Sequence, residues 1–145
     1  MTNYMNFLPP IGRILIANIF LIDGINKISY YEDVAEWMFL KGVPEFLLPL
    51  VILLEIFGAL AIILGWRVKL FSLFFFVFCI LTAIIFHRDF SNNMDKVSFM
   101  KNMSLAGGFL FLFLHGAGKF SLDSLRNKGK LFSIDIFICC SKALN

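Results

Sequence analysis

Residues 46–86 of the chain read FLLPLVILLEIFGALAIILGWRVKLFSLFFFVFCILTAIIF, and this stretch decides the fold. It consists of two apolar runs, each close to the roughly 20 residues with which a helix crosses a hydrocarbon core about 30 Å thick. Only the segment from Gly65 to Arg67 separates the two runs. Because so short a link makes consecutive helices antiparallel neighbours, the stretch predicts a hairpin of two membrane-spanning helices.

Two more apolar stretches flank this hairpin, one on each side. Backbone polar groups in lipid must be satisfied within the protein, and the alternating ten-residue segments of barrel strands do not appear, so these stretches are also predicted to be helices. The predicted spans are about 11–28, 46–64, 68–86 and 99–118. The sequence thus predicts an all-α integral membrane four-helix bundle within residues 1–123. A cytoplasmic or interfacial tail is expected at 124–145, because its apolar part is interrupted by Asp135 and is too short to span.

The composition excludes several classes of protein. Apolar residues make up 59% of the 145 residues and charged residues 16%, against about 45 to 50% and about 25% in soluble domains. The mean hydropathy is +0.84. Such a chain is too apolar for a disordered protein, and its net charge of +3 is spread out, without the basic tract typical of nucleic-acid binding. The expected surroundings of the chain are therefore the lipid bilayer.

The distribution of basic residues predicts the orientation, because loops rich in Lys and Arg stay on the cytoplasmic side. One side is predicted to hold eight of them: Arg13, Arg67, Lys69, Lys119, Arg126, Lys128, Lys130 and Lys142. The other side is predicted to hold five: Lys27, Lys41, Arg88, Lys96 and Lys101. Both the N- and the C-terminus are therefore predicted to be cytoplasmic. The first span lacks the basic start and the cleavage site of a secretory leader, so we expect it to be retained in a bacterial inner membrane.

Ionisable residues inside the predicted spans mark a candidate site. Each one costs at least about 2.5 to 3.5 kcal/mol at the bilayer centre, and so needs a partner, a wet cavity or a function. Glu55 lies in the middle of the second span and His87 closes the third, and both are candidate catalytic residues. Asp23, Lys27 and Asn102 are candidates for binding a substrate. All five are predicted to lie toward the outer side of the bundle.

These candidates also have structural interpretations. Asp23 and Lys27 are spaced i, i+4 with the acid first, which is the favourable order for an ion pair on one helix face. Glu55 is alternatively a buried hydrogen-bonding group that locks the bundle, with Lys27, His87 or Asn102 as its partner.

Helical spacing predicts which faces point inward. In the second span, small or polar residues recur on one face: Glu55, Gly58, Ala59, Ile62 and Gly65. In the third span the corresponding residues are Ser72, Cys79, Ala83 and His87. Small residues let neighbouring backbones approach closely, so these faces are expected inside. Three large side chains are then predicted to point mostly to lipid or to a partner: Phe74, Phe75 and Phe78.

The sequence carries no signature of haem, flavin or a metal. The two histidines, His87 and His115, are predicted at opposite membrane faces, which argues against their ligating one haem. Cys79, Cys139 and Cys140 form no CxxC pair, and adjacent thiols without a nearby His are a weak metal signal. No metal site is therefore predicted.

Four motifs follow one another along the predicted spans. They are R-x10-G-x2-K from Arg13, LEIFGALAIILGWRVKL at 54–70, FH at 86–87 and KNMSLAGGFLFLFLHGAGKFSLD at 101–123. In order and spacing, over roughly residues 11–123, they resemble the DoxX family of small four-helix membrane proteins. Asp23 and Ala117 depart from the pattern, which more often has an apolar residue or His before the Gly and Pro in the last turn. The first departure changes the polarity of the site.

The resemblance implies the membrane subunit of a quinone-linked redox system, acting in sulfur compound oxidation or in the response to quinone and oxidative stress. Under this hypothesis Glu55 and His87 handle protons, while Asp23, Lys27 and Asn102 position a bound quinone head or a small sulfur substrate. Electrons would come from the quinone, from an unrecognised cofactor, or from a soluble or membrane redox partner.

Other functions are also compatible with the sequence. In the main alternative the chain is a non-catalytic membrane anchor or assembly factor, and the segment from Lys119 to Lys130 docks a soluble oxidoreductase. A small transporter fits less well, because the sequence lacks the repeats and broken helices of such folds. A homodimer formed through a Phe-rich face is compatible with any of these functions.

Overall fold

The computed structural model describes residues 7–126, and its regular elements over that range are all helical. The helices are α1 (Leu8–Ser29), α2 (Tyr31–Leu40), α3 (Leu48–Leu64), α4 (Val68–Phe86) and α5 (Asn93–His115). A 3-10 turn at Glu45–Leu47 leads into α3. Cys139 and Cys140, like most of the predicted tail, lie outside the described residues.

Four of these helices are membrane spans by length and composition: α1, α3 with its leading turn, α4 and α5. Large apolar side chains cover the outside of the bundle, and Leu15, Leu53 and Phe111 are 72%, 62% and 63% exposed. In water such a surface would aggregate, whereas in lipid it is the ordinary exterior of a helix bundle. The predicted all-α, four-helix membrane fold is confirmed.

Two spans extend beyond the ends that the sequence predicts. Helix α1 begins at Leu8 and includes Pro9, because a proline in the first turn loses only an N–H that would be unpaired anyway. Helix α5 begins at Asn93 rather than near residue 99, because the Asn92 side chain accepts a hydrogen bond from the Met94 N–H at 3.0 Å and caps the helix. The same helix ends at His115 rather than at the predicted residue 118, because Gly116 turns the chain with a φ of +77°.

The segment between the first two spans contains a helix that the sequence analysis missed. Helix α2 has 10 residues, and its Ala35 and Met38 are buried against Leu48 at the start of α3. Glu32, Asp33 and Glu36 interrupt its apolar residues, so it resembles a polar loop in the sequence. Its formation depends on packing against α3, since an isolated helix of this length is unstable in water.

The core between the spans is aromatic. Phe20 of α1 lies with its ring centroid 4.5 Å from that of Phe75, which in turn stacks on Phe109 of α5 at 5.0 Å. The prediction that Phe75 faces lipid is therefore wrong. Phe75 follows Ser72 by three residues and precedes Cys79 by four, so it shares their buried face, whereas Phe74 is 49% exposed as expected.

Candidate functional site

A cavity of about 150 Å³ lies among the five helices at the end where α1 leaves the bundle and α5 enters it. All five predicted site residues line it: Asp23, Lys27, Glu55, His87 and Asn102. The rest of the wall is largely apolar and aromatic, formed among others by Phe20, Trp37, Phe78 and Phe86. Phe78 thus faces the cavity rather than lipid. The fold brings together predicted site residues that are up to 79 positions apart in the chain, the distance from Asp23 to Asn102.

The most buried polar contact of this cavity is an ion pair between α1 and α3. The Lys27 ammonium donates to both carboxylate oxygens of Glu55, at 2.8 Å and 2.7 Å. The Glu55 side chain is 3% exposed and that of Lys27 is 24% exposed. A buried carboxylate needs a countercharge, and a two-oxygen contact with a partner helix supplies it.

Asp23 does not pair with Lys27, although the i, i+4 spacing allows it. Within the described residues Asp23 lies beyond ion-pair distance of that ammonium, and the lysine reaches across to Glu55 instead. Asp23 faces the same cavity as a separate carboxylate. Of the interpretations open from sequence, the pairing of Glu55 with Lys27 is the one that forms.

A glycine makes the ion pair possible. A Cβ atom added to Gly24 would lie 2.8 Å from Cγ1 of Ile56 and 3.2 Å from Cβ of Glu55, closer than normal packing allows. Helices α1 and α3 therefore touch at Gly24, one turn before Lys27. This contact explains why the R-x10-G-x2-K motif has glycine at this distance from its lysine.

His87 has an ionic partner that the sequence pattern does not predict. Its Nδ1 atom lies 3.2 Å from Oδ1 of Asp95, in the first turn of α5. Because the sequence places the start of this span near residue 99, Asp95 is counted there as a loop residue. The Asn92 cap was the available signal, since it moves the helix start to Asn93 and brings Asp95 opposite the end of α4.

The loop between α4 and α5 is ordered by a local turn. The Asp89 carboxylate accepts hydrogen bonds from the hydroxyl and the backbone N–H of Ser91. These bonds favour the charged form and hold the pKa of Asp89 below its ordinary value. The turn fixes the path of the chain between His87 and Asp95.

Helix α2 adds a wall that no sequence motif predicted. Trp37 stacks on Phe86 with ring centroids 4.7 Å apart and planes at 19°, and it lies 6.2 Å from the His87 ring. Val34 and Met38 line the same side of the cavity. Lys101 of α5 is a further cation in the lining. In the sequence, the spacing of the apolar residues 34 and 38 was the only indication that α2 would pack over the cavity.

The two histidines lie at opposite ends of the bundle. His115 closes α5 and belongs to a different cavity, while its Nδ1 lies 2.9 Å from the carbonyl oxygen of Phe111. In residues 7–126 no group of three His, Cys, Asp or Glu side chains is arranged to hold a metal ion. Cys79 is buried in the aromatic core.

The arrangement suits a flat polar molecule. Lys27 and Asn102 carry hydrogen-bond donors, the aromatic walls offer stacking surface, and Glu55 and His87 are side chains of a type that can bind or release a proton. The fold and the site together define a polytopic helical membrane protein with a polar cavity inside the bundle.

Comparison with known proteins agrees with this class. The DoxX family model matches residues 8–88, more than half of the chain, and the chain belongs to the DoxX family. It is 43% identical over 118 residues to Inner membrane protein YqjF of Escherichia coli (strain K12), covering 81% of this chain and 91% of that protein. It is 32% identical over 120 residues to Inner membrane protein YphA of the same organism, covering 78% and 86%.

No solved structure matches the chain. Both relatives are inner membrane proteins, and with the four membrane spans they confirm the predicted inner-membrane location.

Proposed function

We propose that this DoxX family membrane protein is the membrane subunit of a quinone-linked redox system, and that the polar cavity receives the quinone ring. The observation that carries the proposal is the Lys27–Glu55 ion pair in the wall of a ring-sized cavity within the bundle. Charged side chains within a membrane span cost free energy on insertion, and where they occur they usually belong to a substrate or proton pathway.

The dimensions of the cavity support a single ring. Its volume is about 150 Å³, and an apolar protein cavity of about this volume holds benzene. The carbonyl oxygens of a quinone require donors, which Lys27 and Asn102 supply, and its ring requires flat apolar contacts, which Phe20 and Trp37 supply. Membrane quinones dissolve in the bilayer, the same medium in which this bundle lies.

Conversion of a quinone to a quinol takes up two electrons and two protons. Glu55 and Asp23 on one side of the cavity, and His87 with Asp95 on the other, are the groups assigned to proton exchange. Lys27 holds the Glu55 carboxylate in place and donates toward the ring. The two electrons are assigned to a redox partner, which takes them from a sulfur compound or from another reduced substrate and passes them to the quinone.

The test is quinone content. The full-length protein is extracted in mild detergent, and bound quinone is quantified by mass spectrometry for the wild type, for Glu55→Gln and for Asn102→Ala. Glu45→Gln is the matched control, because Glu45 is an exposed carboxylate just before α3 that does not line the cavity.

About one quinone per chain is expected in the wild type and in the control. Glu55→Gln should reduce binding about tenfold to a hundredfold, because the Lys27 ammonium that donates to the quinone is then no longer held by the carboxylate. A Glu55→Gln protein that expresses normally and retains all its quinone would refute the role of the ion pair. A wild-type protein without quinone, whose activity resides entirely in a co-purified soluble enzyme, would favour the anchor function instead.

A further inference from the structure

A second, larger cavity lies at the end of the bundle opposite the polar cavity. It has a volume of about 710 Å³ and lies between the start of α4, the end of α5 and the segment 116–126. Basic side chains dominate its polar lining: Arg67, Lys69, His115, Lys119 and Arg126. Asp123 is the one acid in this lining among the described residues.

The Asp123 carboxylate is already hydrogen-bonded within the fold. Its two carboxylate oxygens accept the backbone N–H groups of Arg67 and Val68, both at 2.9 Å, and so cap the N-terminus of α4. Over residues 7–126 no carboxylate forms an ion pair with the four Lys and Arg side chains of the cavity. The cavity therefore has an excess of positive charge.

An apolar groove adjoins this basic cavity. The groove has a volume of about 430 Å³ and shares His115, Gly116 and Gly118 with the cavity. Its walls are mostly aliphatic and aromatic, formed by Leu8, Pro9, Ile16, Phe111 and Leu112. It runs along α1 and α5, two of the four helices that are membrane spans by length and composition.

Arg13 adds a buried charge in the wall of the groove. Its residue is 2% exposed, and one guanidinium nitrogen, Nη2, donates to the carbonyl oxygen of Phe120 at 2.6 Å. The other two, Nε and Nη1, have no hydrogen-bond partner among the described residues. No carboxylate lies within ion-pair distance of this guanidinium in the described range, so Arg13 adds a further positive charge to this end of the bundle.

We infer that this end of the protein binds one anionic phospholipid, with the phosphate in the basic cavity and an acyl chain in the groove. A free phosphate would need only the cations, and a neutral lipid only the groove, whereas an acidic phospholipid uses both. Basic pockets between membrane helices on the cytoplasmic side bind acidic lipid headgroups. The same end is the one that the distribution of Lys and Arg predicts to be cytoplasmic.

The experiment measures lipid retention by native mass spectrometry of the full-length protein in detergent. Phosphatidylglycerol and phosphatidylcholine with identical acyl chains are added at equal concentration. The headgroup is tested with the double variant Lys69→Gln/Lys119→Gln, and the matched control is Lys41→Gln/Lys96→Gln, which removes two lysines at the other end. The groove is tested with Gly12→Phe, because a Cβ at Gly12 meets nothing within 4 Å and the ring would fill the groove.

One phosphatidylglycerol molecule is expected on the wild type and on the control, in clear preference to phosphatidylcholine. The double lysine variant should bind it about thirtyfold more weakly, given the attraction of each basic side chain for an anionic membrane surface. Gly12→Phe should also lose the lipid, although all the cations remain.

Three results of the lipid measurements would overturn the inference. They are equal retention of the two lipids, unchanged retention in both test variants, and displacement of the lipid by millimolar inorganic phosphate with no effect of Gly12→Phe. Capture of an acidic soluble protein by this surface, without lipid, would assign it to a protein partner and also contradict the inference. None of these results affects the proposal of quinone binding, because the polar cavity lies at the opposite end of the helices.

Discussion

Replacement of Lys27 by Met should destabilise the protein much more than replacement of Glu55 by Gln, although each change breaks the same ion pair. The asymmetry follows from burial. The Glu55 side chain is 3% exposed and has no second cation within ion-pair distance among the described residues, so Lys27→Met leaves a carboxylate without a countercharge inside the bundle. The Lys27 side chain is 24% exposed, and its flexible stem lets the ammonium move toward water when Glu55 is replaced.

The magnitudes follow from these contacts. Removal of one partner from a buried ion pair costs about 3 to 5 kcal/mol, which is the expected loss for Lys27→Met. In Glu55→Gln the amide oxygen still accepts one of the two hydrogen bonds, so the expected loss is about 1 to 2 kcal/mol. The double variant contains neither charge and should be more stable than Lys27→Met alone, with a coupling energy of about 1 to 3 kcal/mol.

The assay is reversible unfolding of the full-length protein in mixed micelles, with dodecyl sulfate as denaturant and far-ultraviolet circular dichroism as signal. Lys41→Met serves as the control, because Lys41 is an exposed lysine at the C-terminal end of α2 and should lose less than about 0.5 kcal/mol. Equal losses for the two single variants, or losses that simply add in the double variant, would refute the reasoning from burial.

Three further predictions concern packing, capping and orientation. Gly24→Ala should push α1 away from α3, because the added Cβ would lie 2.8 Å from Ile56. The same assay should detect a loss of about 1 to 3 kcal/mol in the free energy of unfolding. Gly107→Ala is the control, and it should be neutral or slightly stabilising because its Cβ meets nothing within 4 Å. Asp123→Ala should lower stability by about 1 to 2 kcal/mol, because it removes the acceptor for the first N–H groups of α4; an unchanged unfolding midpoint would contradict the capping role. An alkaline phosphatase fused after Asn145 should be inactive in cells, because the basic residues predict a cytoplasmic C-terminus; an active fusion would place that terminus outside.

Much of the candidate site was predictable because intramembrane polar residues are rare. Glu55 and Lys27 stand out in apolar runs, and the physics of lipid allows few explanations for such residues. Their partners were harder to predict. The i, i+4 rule favoured Asp23 for Lys27, but it describes one isolated helix, and the lysine binds the acid of the neighbouring helix instead.

The sequence by itself determined that the chain is a four-helix membrane protein and roughly where each helix lies. Those properties depend on local features, namely the length of each apolar run, the glycines and prolines at its ends, and the need of every backbone group in lipid for a hydrogen-bond partner, which a helix meets within its own segment. The inward stripe around Gly58 and Ala59 was also predictable, because it depends only on helical spacing and side-chain size.

Only the tertiary structure decided which helices meet and how each is rotated. It placed α2 over the cavity, brought Asp95 to His87 and folded Asp123 onto the start of α4. Each of these contacts joins residues whose proximity follows from packing rather than from their spacing in the chain. The energy of such a contact exists only when both elements are already in place, and for that reason it is not predictable from either segment alone.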